Sequence, residues 1–126
     1  MCTSESRRSA IALATRSGGA GARISWLTIK VPERRRQEVL QLIASVNEQL
    51  WVGHFDLWIQ DGLVMYRHAL VLAGGVEASG RQCEALLATA LDACERYFPA
   101  FQFVVWAGKP AREALDAAMF DTQGQA

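Results

Sequence analysis

The feature that most constrains this chain is an Asp61-Gly62 pair set between two apolar, alternating runs, His54 to Gln60 and Leu63 to Leu72. Asp-Gly accepts the positive φ of a type I′ turn, whose twist matches that of two antiparallel strands. The spacing predicts a hairpin with a two-residue turn, and such a turn fixes the register. Ile59 then faces Val64, Trp58 faces Met65, Leu57 faces Tyr66, Asp56 faces Arg67 and Phe55 faces His68. One face, with Phe55, Leu57, Ile59, Val64, Tyr66, His68, Leu70 and Leu72, is expected in the core. The other, with His54, Asp56, Trp58, Met65, Arg67, Ala69 and Val71, is amphipathic. Its Asp56–Arg67 cross-strand pair is expected to contribute roughly 0.2 to 1 kcal/mol.

Around the hairpin the other elements follow from periodicity and punctuation. Ile24 to Val31 alternates as a strand does. Pro32 suits a first helical position and Glu33 suits a helix N-terminus. A helix is expected from Pro32 to about Leu50, with Val39, Ile43, Val46 and Leu50 on its buried stripe. The run Arg34-Arg35-Arg36 opposes the dipole there, so an acidic neighbour is expected. Ser79-Gly80-Arg81-Gln82 is a capping-box pattern that opens a second helix, which Pro99 is expected to stop. Phe101 to Ala107 is nearly all apolar and reads as a strand buried on both faces. A short last helix runs from Pro110 to about Phe120, with Ala114, Leu115, Ala118 and Met119 inward. The order β-α-β-β-α-β-α gives the fold class: α+β, a mainly antiparallel sheet with packed helices.

Charge divides the chain. Its 126 residues sum to a formal net charge of zero. Residues 1–36 hold eight basic groups against two acidic ones, and residues 37–126 hold five against eleven. A +6 head therefore cancels a −6 body. Residues 1–23 are Ser, Thr, Ala, Gly and Arg in the main, with too little apolar surface to offset their ordering cost. They are expected to form a disordered or loosely ordered basic head, residues 24–120 a single α+β domain, and residues 121–126 a frayed tail. The acidic body disfavours nucleic acid as a partner. No stretch approaches the roughly 20 apolar residues of a membrane span. Arg7-Arg8 precedes an apolar run too short for an export signal. Cys83 and Cys94 fall on one helix roughly 16 Å apart, too far to bridge, and a reducing cytoplasm is the expected setting.

Chemistry is sparse. His54 and His68 are the only side chains with neutral-pH proton chemistry, and the hairpin puts them on opposite faces. His54 with Asp56 resembles an oriented base, but no nucleophile accompanies it; His68 reads as a satisfied core histidine. Gly108-Lys109-Pro110 lacks the rest of a phosphate loop, and Gly18-Gly19-Ala20-Gly21 follows no strand. No metal spacing is present, and neither enzyme activity nor a cofactor is expected. Trp51, Trp58 and Trp106 are more informative. Trp58 shares its sheet face with Met65 and Arg67, a composition that suits the centre of a protein–protein interface. Either a helix covers that face or it is a surface for a partner.

Beyond these local readings, several segments resemble one family. They are Val31-Pro32-Glu33-Arg34-Arg35-Arg36, the run Val46-Asn47-Glu48-Gln49-Leu50-Trp51-Val52-Gly53-His54-Phe55-Asp56-Leu57-Trp58, and Met65-Tyr66-Arg67-His68-Ala69-Leu70. Cys94-Glu95-Arg96-Tyr97-Phe98-Pro99-Ala100-Phe101-Gln102-Phe103-Val104-Val105-Trp106 and Gly108-Lys109 continue the likeness. From Val31 onward the chain is similar to the YbjN-type family of bacterial sensory transduction regulators. The resemblance implies a fold like that of type III secretion chaperones, self-association, no cofactor and no catalytic residues. It also implies that the family's usual N-terminal segment, a helix and strands ahead of Val31, is replaced here by the basic head, as in a truncated or alternatively started member.

The functional expectation is a non-enzymatic, cytoplasmic, regulatory or chaperone-like protein, homodimeric, binding a protein segment through the face of Trp58, Met65, Arg67, His54 and Asp56 or along an open strand edge. The alternative is a small-ligand or nucleotide-sensing module where His54, Asp56 and Arg67 meet.

Overall fold

A computed structural model describes residues 3–5, 11–17 and 21–124, with side chains from residue 29 to residue 120. Five strands form one antiparallel sheet in the order β1-β2-β3-β5-β4: β1 Thr3–Glu5, β2 Ile11–Ser17, β3 Gly21–Lys30, β4 His54–Trp58 and β5 Leu63–Val71. Helix α1 (Arg36–Gln49) follows a 3-10 turn at Glu33–Arg35, and α2 (Gly80–Val105) and α3 (Ala111–Gly124) close the chain. The fold class is α+β, as read from the sequence. Ile29, Val31, Phe55, Leu57, Val64 and Tyr66 from the sheet meet Val39, Leu42, Val46, Ala90, Tyr97, Phe101, Val104, Ala114 and Ala118 from the helices in one core. The rings of Tyr66, Tyr97 and Phe101 all lie against Phe55, with centroids 5.5, 6.1 and 5.2 Å from its own.

Helix α2 corrects the expected element order. Its capping box forms as read, with the Gln82 amide donating to Ser79 Oγ at 3.1 Å and the Ser79 amide donating to Gln82 Oε1 at 2.8 Å. Pro99, however, lies inside the helix, and Phe101 to Val105 is helical rather than a strand. The buried positions explain why: Leu86, Ala90, Cys94, Tyr97, Phe101, Val104 and Val105 continue one stripe at helical spacing across the proline. A proline interrupts one bond of the ladder, whereas unwinding there would withdraw Phe101 and Val104 from the core.

The hairpin keeps its predicted faces but not its predicted turn. Trp58 pairs with Leu63, Leu57 with Val64, Asp56 with Met65, Phe55 with Tyr66 and His54 with Arg67. The register is displaced by two residues, so every side chain keeps its face, because the period of a strand is two. The loop becomes Ile59 to Gly62, and Ile59, expected in the core, is exposed. Tertiary ties select this loop. Arg36 Nη1 donates to the Ile59 carbonyl at 2.9 Å, and the Val31 amide donates to the Gly62 carbonyl at 2.7 Å. Gly62 holds φ +66°, and a Cβ there would lie 2.9 Å from the Val31 carbonyl.

The arginine run finds carbonyl oxygens rather than an acidic neighbour. Arg35 Nε donates to Val104 O and Nη2 to Lys109 O, both at 2.9 Å. These acceptors surround the C-terminus of α2, where carbonyls lack intrahelical partners and the dipole favours a cation. Glu38 Oε2 accepts the Ala111 amide at 2.9 Å and so caps α3 from α1.

Strands β1 and β2 fall within residues 1–23, the segment whose composition suggests a loosely ordered head. That expectation weighed apolar surface alone. Here the backbone of β2 pairs with β3 from Ala12–Trp26 to Ser17–Gly21, which supplies hydrogen bonds regardless of side-chain composition. Cys2, Arg7-Arg8 and Gly18-Gly19 lie outside the described residues. Helix α3 continues to Gly124, past the expected start of a frayed tail at residue 121.

Candidate interaction surface

The hairpin face turned away from the core holds the five residues singled out from the sequence. His54, Asp56 and Trp58 of β4 stand beside Met65 and Arg67 of β5. Asp56 faces Met65 rather than Arg67, so the expected ion pair is diagonal. Arg67 Nη1 still reaches Asp56 Oδ2 at 3.0 Å. Both side chains are more than a third exposed, which limits the pair to about 1 kcal/mol at most. Its second carboxylate oxygen, Oδ1, accepts the Leu57 amide at 3.0 Å. His54 is exposed and lies opposite Arg67. The three residues of the ligand-sensing alternative are therefore neighbours, but the Arg67 cation is already neutralised by Asp56.

Met65 is 5% exposed and yet stands outside the core cluster. It occupies an interior strand, opposite Leu27 on β3 and Asp56 on β4. Trp58, on the edge strand, stays 47% exposed. The core joins helical residues only to the inward strand residues, so among the described residues no helix supplies core cover to this face. Val71, further along the same face of β5, is also exposed.

A second feature, absent from the predicted site, is the turn between α1 and β4. Asn47 in the last turn of α1 spans both backbone groups of Phe55: its Oδ1 accepts the Phe55 amide at 2.7 Å and its Nδ2 donates to the Phe55 carbonyl at 3.0 Å. Tyr66 Oη donates to the Val52 carbonyl at 3.0 Å, and Tyr97 Oη bonds Gln49 Oε1 at 3.1 Å. Gly53 turns the chain at φ +71°, where any Cβ would collide with the Tyr66 phenol. The residue this well-tied turn presents is Trp51, 98% exposed. The Asn47 to Phe55 segment lies within one of the runs that carry the family likeness. Its periodicity gave no hint of the clamp, because a side chain bonding backbone eight residues away follows neither helix nor strand spacing.

His68 lies on the inward face, as read, but is not a satisfied core histidine: its Nδ1 is buried without a partner. Burial pushes its pKa below the ordinary 6.5. Cys83 and Cys94 are free thiols on α2, and burial, with Glu95 as a lesser cause, raises the Cys94 thiol to about 12. Among the described residues no group of three or more His, Cys, Asp and Glu side chains is placed to hold a metal ion, and no helix is long and apolar enough to cross a membrane.

The model of the YbjN family, described as "Putative bacterial sensory transduction regulator", matches residues 3–103. The match takes in β1 and β2, so the basic head falls within the family span, contrary to the expectation that it replaces a family segment. No curated protein and no solved structure matches the chain at a significant level.

Proposed function

The chain belongs to the YbjN family, and from that premise we propose that it is a regulatory protein of the cytoplasm that acts by binding another protein on the outward face of the β4–β5 hairpin. One observation carries this reading: a half-exposed Trp58 borders the Asp56–Arg67 pair on a sheet face that lies outside the core. Tryptophan and arginine are the side chains most enriched at interface centres, and a buried methionine beneath them adds an adaptable apolar floor. The finer reading is chaperone-like, a segment of the partner laid across Trp58, Met65 and Arg67 with His54 and Asp56 at the rim. The ligand-sensing alternative is weaker, since an anionic ligand would have to displace the Asp56 carboxylate from Arg67.

The experiment is a crosslinking capture from the source cytoplasm, with the wild-type chain compared against Trp58→Ala and Arg67→Glu. A partner held by the wild type and lost by both folded variants supports the hairpin face. A partner retained equally by all three chains removes it.

A further inference from the structure

Neither edge of the sheet is a template for an added strand. β4 lies at one end of the strand order, and its Phe55 and Leu57 turn their backbone groups away from β5. Asn47 of α1 holds both the amide and the carbonyl of Phe55, and Asp56 Oδ1 accepts the Leu57 amide. β1, at the other end, is only 3 residues long. Occupied backbone groups and very short edge strands both blunt strand addition. A partner segment on this sheet is therefore held on its face, by side chains.

That requirement constrains the segment's own backbone. An extended segment laid over the outward face finds no ladder there, and its amides and carbonyls leave water without partners. A helix satisfies its backbone internally and needs only an apolar stripe to pack. The face offers a matching row. Alternation along β5 puts Leu63, Met65, Ala69 and Val71 on the outward side, with Trp58 of β4 paired to Leu63. Ala69 and Val71 are exposed and Leu63 is half-buried. Lys30 of β3 pairs with Leu63 from the other side and is exposed, with no ion partner among the described residues. Asp56 already neutralises Arg67, so the described part of this face keeps a cation in excess at Lys30.

We propose that the segment bound on the β4–β5 face is an amphipathic helix of a partner protein, with its apolar stripe along β5 and an acidic flank at Lys30. This rests on the reading of that face as the binding site, and names what the site takes. Leu63–Val71 is a strand of 9 residues, about 27 Å from end to end at 3.4 Å per step. A helix rises only 1.5 Å per residue, so about 18 of its residues cover that length, against about eight of an extended segment.

The test is photo-crosslinking of the whole chain in the source cytoplasm. A photo-reactive side chain replaces Leu63 in one variant and Val71 in another, and mass spectrometry locates the partner residues each one reaches. The two positions are expected in one partner segment, about 18 residues apart. Lys30→Glu is expected to lower the yield of both cross-links about fivefold. A separation near eight residues, or cross-links to two unrelated segments, overturns the helix while leaving the face as the binding site. A yield that Lys30→Glu does not change overturns the acidic flank. If neither position cross-links a partner and Trp58→Ala retains every captured protein, the face itself is wrong and the helix falls with it. Should the Leu63 variant not fold, the photo-reactive side chain is placed at Lys30, which pairs with Leu63, and the same separation is read.

Discussion

The Tyr66 phenol fills the space that a Cβ on Gly53 would need, and its hydroxyl donates to the neighbouring Val52 carbonyl at 3.0 Å. Glycine and tyrosine thus pack as one unit in the turn between α1 and β4. Gly53→Ala meets both a left-handed backbone and a steric collision, so it is expected to destabilise the fold by roughly 2 to 4 kcal/mol. Tyr66→Phe keeps the ring and loses one hydrogen bond, at about 1 kcal/mol. Because Tyr66 Oη is the nearest atom to the missing Cβ, the double variant is expected to be less damaged than the sum of the two. Denaturant unfolding of the four chains measures this; strict additivity would contradict it.

Arg35 and Arg34 are adjacent and should behave very differently. Arg35 donates to Val104 O and Lys109 O, tying the start of α1 to the end of α2, while Arg34 is exposed. Arg35→Ala is expected to cost about 1 to 3 kcal/mol, since it leaves carbonyls at a helix end without their charged donor. Arg35→Lys should recover little of that, because one ammonium does not reproduce a two-point fork. Arg34→Ala should stay within about 0.5 kcal/mol. Thermal melts of the three variants decide it.

The contrast between these arginines shows where the sequence was legible. The hairpin faces were readable because strand period two survives a two-residue slip in register, so His54, Asp56, Trp58, Met65 and Arg67 were correctly grouped. The turn itself was not, because Arg36 and Val31, distant in sequence, hold Ile59 and Gly62 in a longer loop. The start of α2 was readable from its capping box. Beyond it a local rule about proline competed with a helical pattern that continued through Phe101 and Val104, and packing decided. Nothing in composition revealed Asn47, whose role depends on where β4 returns beside α1.

Alkali should weaken the fold. Burial, with Cys94 as a lesser cause, raises Tyr66 from 10.0 to about 12, and burial raises Cys94 from 9.0 to about 12. Both groups hold their protons more tightly when folded than when unfolded. Their contribution is therefore complete below about pH 9 and is lost as pH climbs from there to about 12. A stability curve that stays flat between pH 9 and 11.5 would contradict this. Cys94→Ala, which removes one of the two titrations, is expected to shift the onset of that loss upward toward pH 10.

The low-pH limb has the opposite sign. His68 has a depressed pKa because its ring is partly withdrawn from water, and its buried Nδ1 has no partner. The unfolded chain takes up this proton near pH 6.5 and the folded chain only at lower pH, so stability falls as pH drops below about 6.5. His68→Phe removes the titration while keeping an aromatic ring near Tyr66. It is expected to flatten the curve below pH 6.5 and leave it little changed at pH 8; an unchanged acid limb would mean that His68 is not its source.

Pro99 offers a test of the element that departed furthest from expectation. Inside α2 it supplies no amide to the Glu95 carbonyl, and its ring crowds that carbonyl. An interior proline costs about 3 kcal/mol relative to alanine. Part of this is offset, because proline also restricts the unfolded chain by roughly 0.4 to 1 kcal/mol. Side-chain contacts of the half-buried ring offset a little more. Pro99→Ala is therefore expected to stabilise the chain by about 1 to 2 kcal/mol and to raise its Tm by roughly 5 to 10 °C. Were Pro99 the end of a helix and Phe101 the start of a strand, the same substitution would remove a stop signal and leave stability unchanged or lower. Calorimetry of the single variant separates the two outcomes by sign.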